Sequence, residues 1–180
     1  MRGKVRKIAR KMAGPAVLAT ILMSLSGGCA TSECYDNQNS LPLAGFYSSQ
    51  EIPVAISLDS LSILGIGAPG DSILQDSVRS LSQVYLPFRI DQNSTTYQIR
   101  YLAGIPGLYH MTDEITFIYD IVPMFVSTAC GTVYYYKMVS IDYTQAFIDS
   151  VTCPTGVITN ENLENIKIYF RVAMDDEVPE

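Results

Sequence analysis

Apolar and polar residues alternate with a period of two along much of the chain after residue 41. The alternation is clearest in 84–90, 97–101, 115–119 and 166–172, where every second residue is aliphatic or aromatic. A period of two puts successive side chains on opposite faces of a strand, so these segments are predicted to be half-buried antiparallel strands. Pro87 inside the first segment indicates an edge strand or a bulge.

Shorter apolar runs between turn-forming residues predict the remaining strands. They cover 45–48, 54–57, 61–66, 73–75, 132–140 and 146–151, with a hairpin centred near Ile141 and Asp142. Patterns typical of long helices are absent. The predicted fold class is therefore all-β, an antiparallel two-sheet sandwich of immunoglobulin or prealbumin-like type that buries one face of each strand. We expect this domain to span residues 41–174 and to be followed by an acidic tail, residues 175–180.

The N-terminus has the features of an export signal. Six basic residues and no acidic residue lie in the first eleven positions, and an apolar stretch over 13–25 leads to small residues. This order predicts a secretory signal peptide over residues 1–28. The apolar stretch is shorter than the roughly 20 residues that a transmembrane helix needs, so an uncleaved membrane span is the weaker interpretation.

The end of this segment, Leu-Ser-Gly-Gly-Cys over 25–29, resembles the lipobox of bacterial lipoproteins, in which the cysteine is acylated before cleavage. The resemblance implies lipidation of Cys29 and a polar anchor and tether over residues 29–40. Ala30 stands where an aspartate would resemble an inner-membrane retention signal, so an outer-membrane lipoprotein is expected. Acidic residues are sparse directly after Cys29, which favours a domain facing the periplasm over one displayed on the cell surface.

Charge excludes one class of partner. After cleavage, six basic residues face eighteen acidic residues, a net charge of −12, and the basic residues are scattered. A nucleic-acid-binding protein needs a basic patch or stripe for the phosphates. No nucleic-acid partner and no electrostatic docking on anionic lipid are therefore expected.

Cys34, Cys130 and Cys153 remain beyond the lipobox. An oxidising compartment permits one disulfide among them. Cys130 and Cys153 flank the predicted hairpin and could pair across it, whereas a bond between Cys34 and Cys130 would tie the N-terminal segment to the core. The residues alone leave both pairings open. The cysteines lack metal-binding spacing and neighbouring histidines, so neither a metal nor another cofactor is predicted.

Candidate catalytic residues are few. His110 is the single histidine, and a Ser/His/Asp or Cys/His mechanism would have to use it. No nucleophile-elbow sequence accompanies it, so it is interpreted as a loop residue. Asp113 and Glu114, like Asp175 and Asp176, are adjacent carboxylates that we interpret as solvated groups at strand edges and in the tail. No catalytic site is predicted, and the protein is expected not to be an enzyme.

An Asp-Ser-apolar triplet occurs four times, at 59–61, 71–73, 76–78 and 149–151. It resembles the periplasmic O-glycosylation acceptor of Bacteroidetes. Asp-Ser is also a common turn pair, because both side chains bond nearby backbone groups. The resemblance implies four candidate acceptors: Ser60, Ser72, Ser77 and Ser150.

Longer stretches resemble a family of uncharacterised Bacteroidetes lipoproteins. They are PLAGFYSS, VYLPFRIDQNSTTYQIRY, DEITFIYDIVPMFVSTACGTVYYYKM and TNENLENIKIYF, and they cover nearly all of the mature chain. The resemblance implies a small β-sandwich of unknown function. In that family the cysteine after the lipobox and the cysteine of the ACG motif recur, matching Cys34 and Cys130. It therefore implies a disulfide between these two and a free Cys153.

Together these features predict a lipid-anchored envelope protein of unknown biochemical activity. We expect a non-enzymatic binding or structural module that meets the membrane through its lipid and binds an envelope protein or glycan. One alternative is an envelope hydrolase, which would need a cleft converging on His110. Another is a lipoprotein inhibitor or chaperone, which would need an exposed apolar patch or an unpaired edge strand.

Overall fold

The computed structural model describes residues 40–68, 72–101, 111–128 and 130–171. Within these ranges there is no helix of the length and apolar character needed to cross a membrane. The described residues form ten strands: β1 Leu43–Ser48, β2 Leu61–Ile66, β3 Ile73–Val78, β4 Gln83–Tyr85, β5 Ser94–Tyr101, β6 Met111–Ser127, β7 Gly131–Tyr143, β8 Ile148–Thr152, β9 Val157–Ile158 and β10 Glu164–Phe170.

The strands make two sheets that pack as a sandwich, which confirms the predicted fold class. The six-stranded sheet has the order β3-β2-β5-β6-β7-β9, and all of its pairs are antiparallel. The four-stranded sheet has the order β4-β1-β10-β8. In it, β1 and β10 pair in parallel, with Leu43 opposite Glu164 and Ser48 opposite Phe170. This parallel pair is the one departure from a purely antiparallel sandwich among the described strands.

The core consists of the inward side chains of both sheets, as the period of two predicts. Its centre is aromatic: the rings of Phe46 and Phe170 lie 5.2 Å apart, and Phe147 and Phe170 stack at 5.4 Å. Among the largest fully buried side chains are Tyr119, Tyr136, Phe46, Phe117, Phe170, Leu61, Ile63, Leu86, Ile99, Ile115, Ile148 and Ile158.

Two predicted elements are wrong. The predicted strand 54–57 is reduced to a single bridge between Ala55 and Tyr47. The hairpin predicted at Ile141 and Asp142 does not exist, because these residues continue β7 and pair with Phe117 and Thr116 of β6. The hairpin turn lies instead between Ser127 and Gly131, where Gly131 has a positive φ of 80°.

The strand predicted over 84–90 is shorter in the structure. The strand β4 ends at Tyr85, and the next four residues are irregular. Leu86 and Phe88 are buried, as the alternation predicts, but Ile90 is exposed. Pro87 contributes no N–H group to a ladder, which is consistent with a strand that stops just before it.

Tyrosine hydroxyls replace the missing ladder in this segment. Three tyrosines, one from each of β5, β6 and β7, donate to three consecutive carbonyl oxygens. The pairs are Tyr97 to Pro87, Tyr136 to Phe88 at 3.4 Å, and Tyr119 to Arg89 at 2.8 Å. Burial raises the pKa of Tyr136 to about 12, and it also raises the pKa of Tyr97 and Tyr119, so all three hydroxyls stay protonated donors at neutral pH. The six-stranded sheet thereby holds a segment that follows a strand of the other sheet.

Candidate functional site

The most developed polar centre in the described residues is built around the carboxylate of Asp113 on β6. The residue is fully buried, at 0% exposure. Its Oδ1 accepts hydrogen bonds from Thr144 Oγ1 at 2.6 Å and from the Ala146 N–H at 2.7 Å. Its Oδ2 accepts from the N–H groups of Phe147 and Ile148, both at 2.8 Å. Four donors therefore converge on one side chain.

These donors lie in the connection between β7 and β8 and at the first residue of β8. β7 belongs to the six-stranded sheet and β8 to the four-stranded sheet, so residues 144–147 carry the chain across the end of the sandwich. Backbone N–H groups in such a crossing have no ladder partner and need another acceptor when they are buried. Asp113 supplies it, and β6 is thereby fastened to the crossover.

The electrostatics of Asp113 favour its charged form. Burial by itself raises the pKa of the carboxyl, but the hydrogen bonds from Thr144 and from the backbone of Ile148, Phe147 and Ala146 outweigh it, and the pKa lies below its ordinary value. A carboxylate of this kind is a poor general acid at neutral pH, because such an acid needs a pKa near the working pH. The arrangement is chemically that of a structural acceptor.

The interpretation of Asp113 as a solvated residue at a strand edge was wrong. It shares its face of β6 with Ile115, Phe117 and Tyr119, which are all buried. The alternation of β6, extended two residues toward its start, would have placed this carboxylate in the core. Its neighbour Glu114 is exposed, as expected, and accepts a hydrogen bond from Gln98.

A second feature is a hairpin arm, residues 121–135, formed by the far ends of β6 and β7. The strand β5 pairs with β6 only as far as Ile118, and β9 pairs with β7 at Tyr136 and Lys137. Within the described residues, the ladder of the arm therefore runs only between its own two strands. Residues 122–126, Val-Pro-Met-Phe-Val, are all exposed, and Phe125 is 68% exposed. We call residues 122–126 the apolar tip.

The two cysteines in the described residues differ. Cys153 is half-buried and has a free thiol, whereas the sulfur of Cys130, in the turn of the hairpin arm, is not a free thiol. A free Cys153 contradicts the alternative bond between Cys130 and Cys153, whose rationale was the hairpin at Ile141 that does not exist. Cys34 and the lipidation candidate Cys29 lie outside the described residues.

The four candidate glycan acceptors lie in different surroundings. Ser72 and Ser77 are exposed, whereas Ser60 is half-buried beside the start of β2, and Ser150 is half-buried within β8 opposite Tyr169. Asp59 accepts a hydrogen bond from the Ser80 N–H at 2.6 Å, a contact that joins the segment before β2 to the segment after β3. Leu61 pairs with Val78, so Ser60 and Ser77 lie beside the same strand pair, whereas Ser150 lies in the other sheet.

Other sequence candidates fall outside the described ranges. The signal peptide, nearly all of the tether, His110 and the acidic tail all do so. In the part of the chain that is described, no three side chains of the metal-ligating types come together. Among the sequence candidates in the described residues, Asp113 is the one that several donors surround, and those donors are structural.

Comparison with known proteins gives a family and no function. No curated protein and no solved structure shows significant similarity to the chain. Residues 60–170 match a family described as a family of unknown function, DUF6452. The match runs from the residue before β2 to the last residue of β10 and thus contains Asp113, its donors and the whole hairpin arm. The chain belongs to this family, DUF6452.

Proposed function

We propose that the protein is a lipid-anchored envelope protein whose β-sandwich is a non-enzymatic binding or structural module. In this proposal Cys29 carries the lipid, residues 29–40 are the tether, and the anchor lies in the outer membrane with the domain facing the periplasm. Its partner would be an envelope protein or a glycan.

The hydrogen bonds to the carboxylate of Asp113 are the observation that supports a non-enzymatic role. A buried carboxylate is the side chain that a hydrolase would use as general acid or base, with a pKa raised toward neutrality. Here both oxygens are occupied by donors from the β7–β8 crossover, and the pKa is lowered. This chemistry suits a rigid scaffold.

The lipid anchor has a direct test. Cys29→Ser removes the acylated sulfur, so we expect an uncleaved precursor that no longer incorporates a palmitate analogue during metabolic labelling. Cys153→Ser is the matched control, because it removes a free thiol and leaves the lipobox-like run intact. The control should label like the wild type. Equal labelling of wild type and Cys29→Ser would overturn the anchor.

A disulfide between Cys34 and Cys130 is part of the same proposal. The free thiol of Cys153 and the engaged state of Cys130 support it. Such a bond would close a loop of roughly one hundred residues, for which the chain-entropy model gives about 4.7 kcal/mol of stabilisation. It would also fix the start of the mature chain to the turn of the hairpin arm.

One observation favours a second candidate function. The inhibitor or chaperone alternative requires an exposed apolar patch, and the apolar tip is such a patch. In that case the tip would bind an exported protein, and removing its apolar side chains should abolish that binding without changing the anchor. Light scattering from an aggregating unfolded exported protein, with and without the lipoprotein, would measure this activity.

A further inference from the structure

We propose that the apolar tip, residues 122–126, contacts the lipid bilayer that holds the anchor. This inference rests on the proposed lipidation of Cys29. It assigns the hairpin arm a role as a second, non-covalent membrane contact that sets the orientation of the sandwich on the membrane.

The composition of the arm suits an apolar solvent. Residues 121–136 contain no charged side chain and no histidine, although the mature chain as a whole is strongly acidic. The tip consists of Val122, Pro123, Met124, Phe125 and Val126. Two half-buried tyrosines, Tyr134 and Tyr135, stand at the base of the arm on β7. Tyrosine is enriched at the level of lipid headgroups, because its ring is apolar and its hydroxyl is polar.

The exposed apolar surface of the arm is contributed by consecutive residues of β6. In a strand that packs on a partner, alternate residues point toward it and the others point away. Residues 122–126 of β6 are exposed without alternation. Val133 of β7, which pairs with Met124, is only 1% exposed, so the arm is covered at that position and its open apolar surface is that of the β6 strand. Pro123 also lacks an N–H group, which weakens pairing with an added strand at this edge. An open, uncharged apolar strand of this kind suits contact with a bilayer interface.

The anchored end of the chain approaches the sandwich near the base of the arm. The Leu86 N–H donates to the Pro42 carbonyl at 2.9 Å, just before β1 begins. Directly after Leu86 comes the segment whose carbonyls accept from Tyr119 and Tyr136, and these tyrosines sit where the arm leaves the sheet. On the other side, Leu43 pairs with Glu164. The loop before Glu164 holds Asn160, whose side chain accepts from the Tyr135 hydroxyl at 3.0 Å.

The tether is long enough for the tip to reach lipid. Ser40 is eleven positions after Cys29, a span of at most about 38 Å when fully extended. The proposed disulfide between Cys34 and Cys130 would leave only five positions between the lipid and the turn of the arm. From Ile121 to Ser127 the arm rises about 20 Å at the usual strand spacing. The tether therefore permits contact, and its shortness keeps the tip at a high effective concentration near the membrane surface.

The chain contains no tryptophan, so a single introduced indole reports its own surroundings. Phe125→Trp places the probe at the tip, and Val126→Trp is a second reporter in case the first variant fails to fold. Thr112→Trp is the matched control, since Thr112 is exposed near the start of the same strand, thirteen residues from Phe125. The full lipoprotein would be purified from membranes and reconstituted into phosphatidylcholine vesicles with brominated acyl chains.

We expect bromolipid quenching and a blue-shifted emission for the tip probes, and neither for Thr112→Trp. If the protein is anchored but the tip probes remain unquenched, the proposed contact is wrong and the anchor stands. If no variant is recovered with membranes and wild type fails palmitate labelling, the anchor itself fails. A blue shift that depends on protein concentration, without quenching, would assign the tip to a second copy. A blue shift that appears only with an added unfolded exported protein would assign it to a protein partner. Either result overturns the bilayer contact.

Discussion

Replacement of Asp113 by asparagine tests the role of the buried carboxylate. Asparagine has nearly the same shape but keeps only one acceptor oxygen, so two of the four donors from residues 144–148 would face an amide NH₂ group. Each buried donor without a partner costs about 1–3 kcal/mol. The expected loss is therefore about 2–6 kcal/mol, a large part of the 5–15 kcal/mol typical of a folded domain.

Urea denaturation followed by circular dichroism measures this loss. With a slope of about 2 kcal/mol per molar urea, the midpoint should fall by about 1–3 M. Asp142→Asn is the matched control, because Asp142 is exposed on the neighbouring strand, and its midpoint should correspond to a change below about 0.5 kcal/mol. Asp113→Ala leaves all four donors without an acceptor and should be worse than Asp113→Asn. If Asp113→Asn matched the control, or if alanine were the milder change, the four-donor explanation would be refuted.

Four further predictions follow from the structure. Tyr119→Phe removes the hydroxyl that accepts from the Arg89 N–H and donates to the Arg89 carbonyl, so it should destabilise the domain by about 1–3 kcal/mol. Tyr85→Phe, which removes an exposed hydroxyl, is the control and should change the urea midpoint little. Equal effects of the two substitutions would contradict the role of Tyr119. The pKa of Asp113 is lowered in the folded state, so its contribution to the free energy of unfolding should be complete above the unfolded pKa of about 3.9 and should disappear as the pH falls through the folded pKa. The urea midpoints of wild type and Asp113→Asn should therefore converge in acid. A constant difference between them down to pH 2 would be inconsistent with this linkage. Cys34→Ser and Cys130→Ser should each cost about 2–5 kcal/mol and Cys153→Ser far less, whereas a Cys130–Cys153 peptide in a non-reducing map, or three free thiols, would refute the proposed disulfide. Protein from its native host should lose glycan mass in Ser72→Ala and Ser77→Ala, since both serines are exposed, and an intact mass equal to the lipidated polypeptide would exclude the modification at all four serines.

The alternation of side chains predicted most of the sandwich because burial of one strand face is a local property of the sequence. The segment 61–66 matches β2, and 166–170 lies within β10. Pairing depends on the whole fold, so the parallel contact between β1 and β10 could not be read from either strand alone. The irregular path after Tyr85 depends on three tyrosines that are distant in sequence, and no local pattern could reveal it.

The polar centre was missed for a different reason. A charged residue next to another charged residue is usually solvated, and Asp113 with Glu114 was interpreted on that basis. The alternation of β6 placed the two residues on opposite faces, and only the fold shows that the N–H groups at residues 146–148 lie where the inward carboxylate can accept from them. The alternation of side chains along a strand can predict that an acidic residue is buried, but its hydrogen-bond partners depend on the tertiary structure.

The parallel pairing of β1 with β10 has a consequence for biogenesis. Leu43 lies opposite Glu164, which follows it by 121 residues, so the four-stranded sheet cannot close until the last strand has been made. Contacts between residues far apart in sequence slow folding, because a long loop must be ordered before they form. A chain that is exported as proposed would therefore remain unfolded while it is threaded through the secretion channel. Its four-stranded sheet would be completed only after β10 has reached the far side.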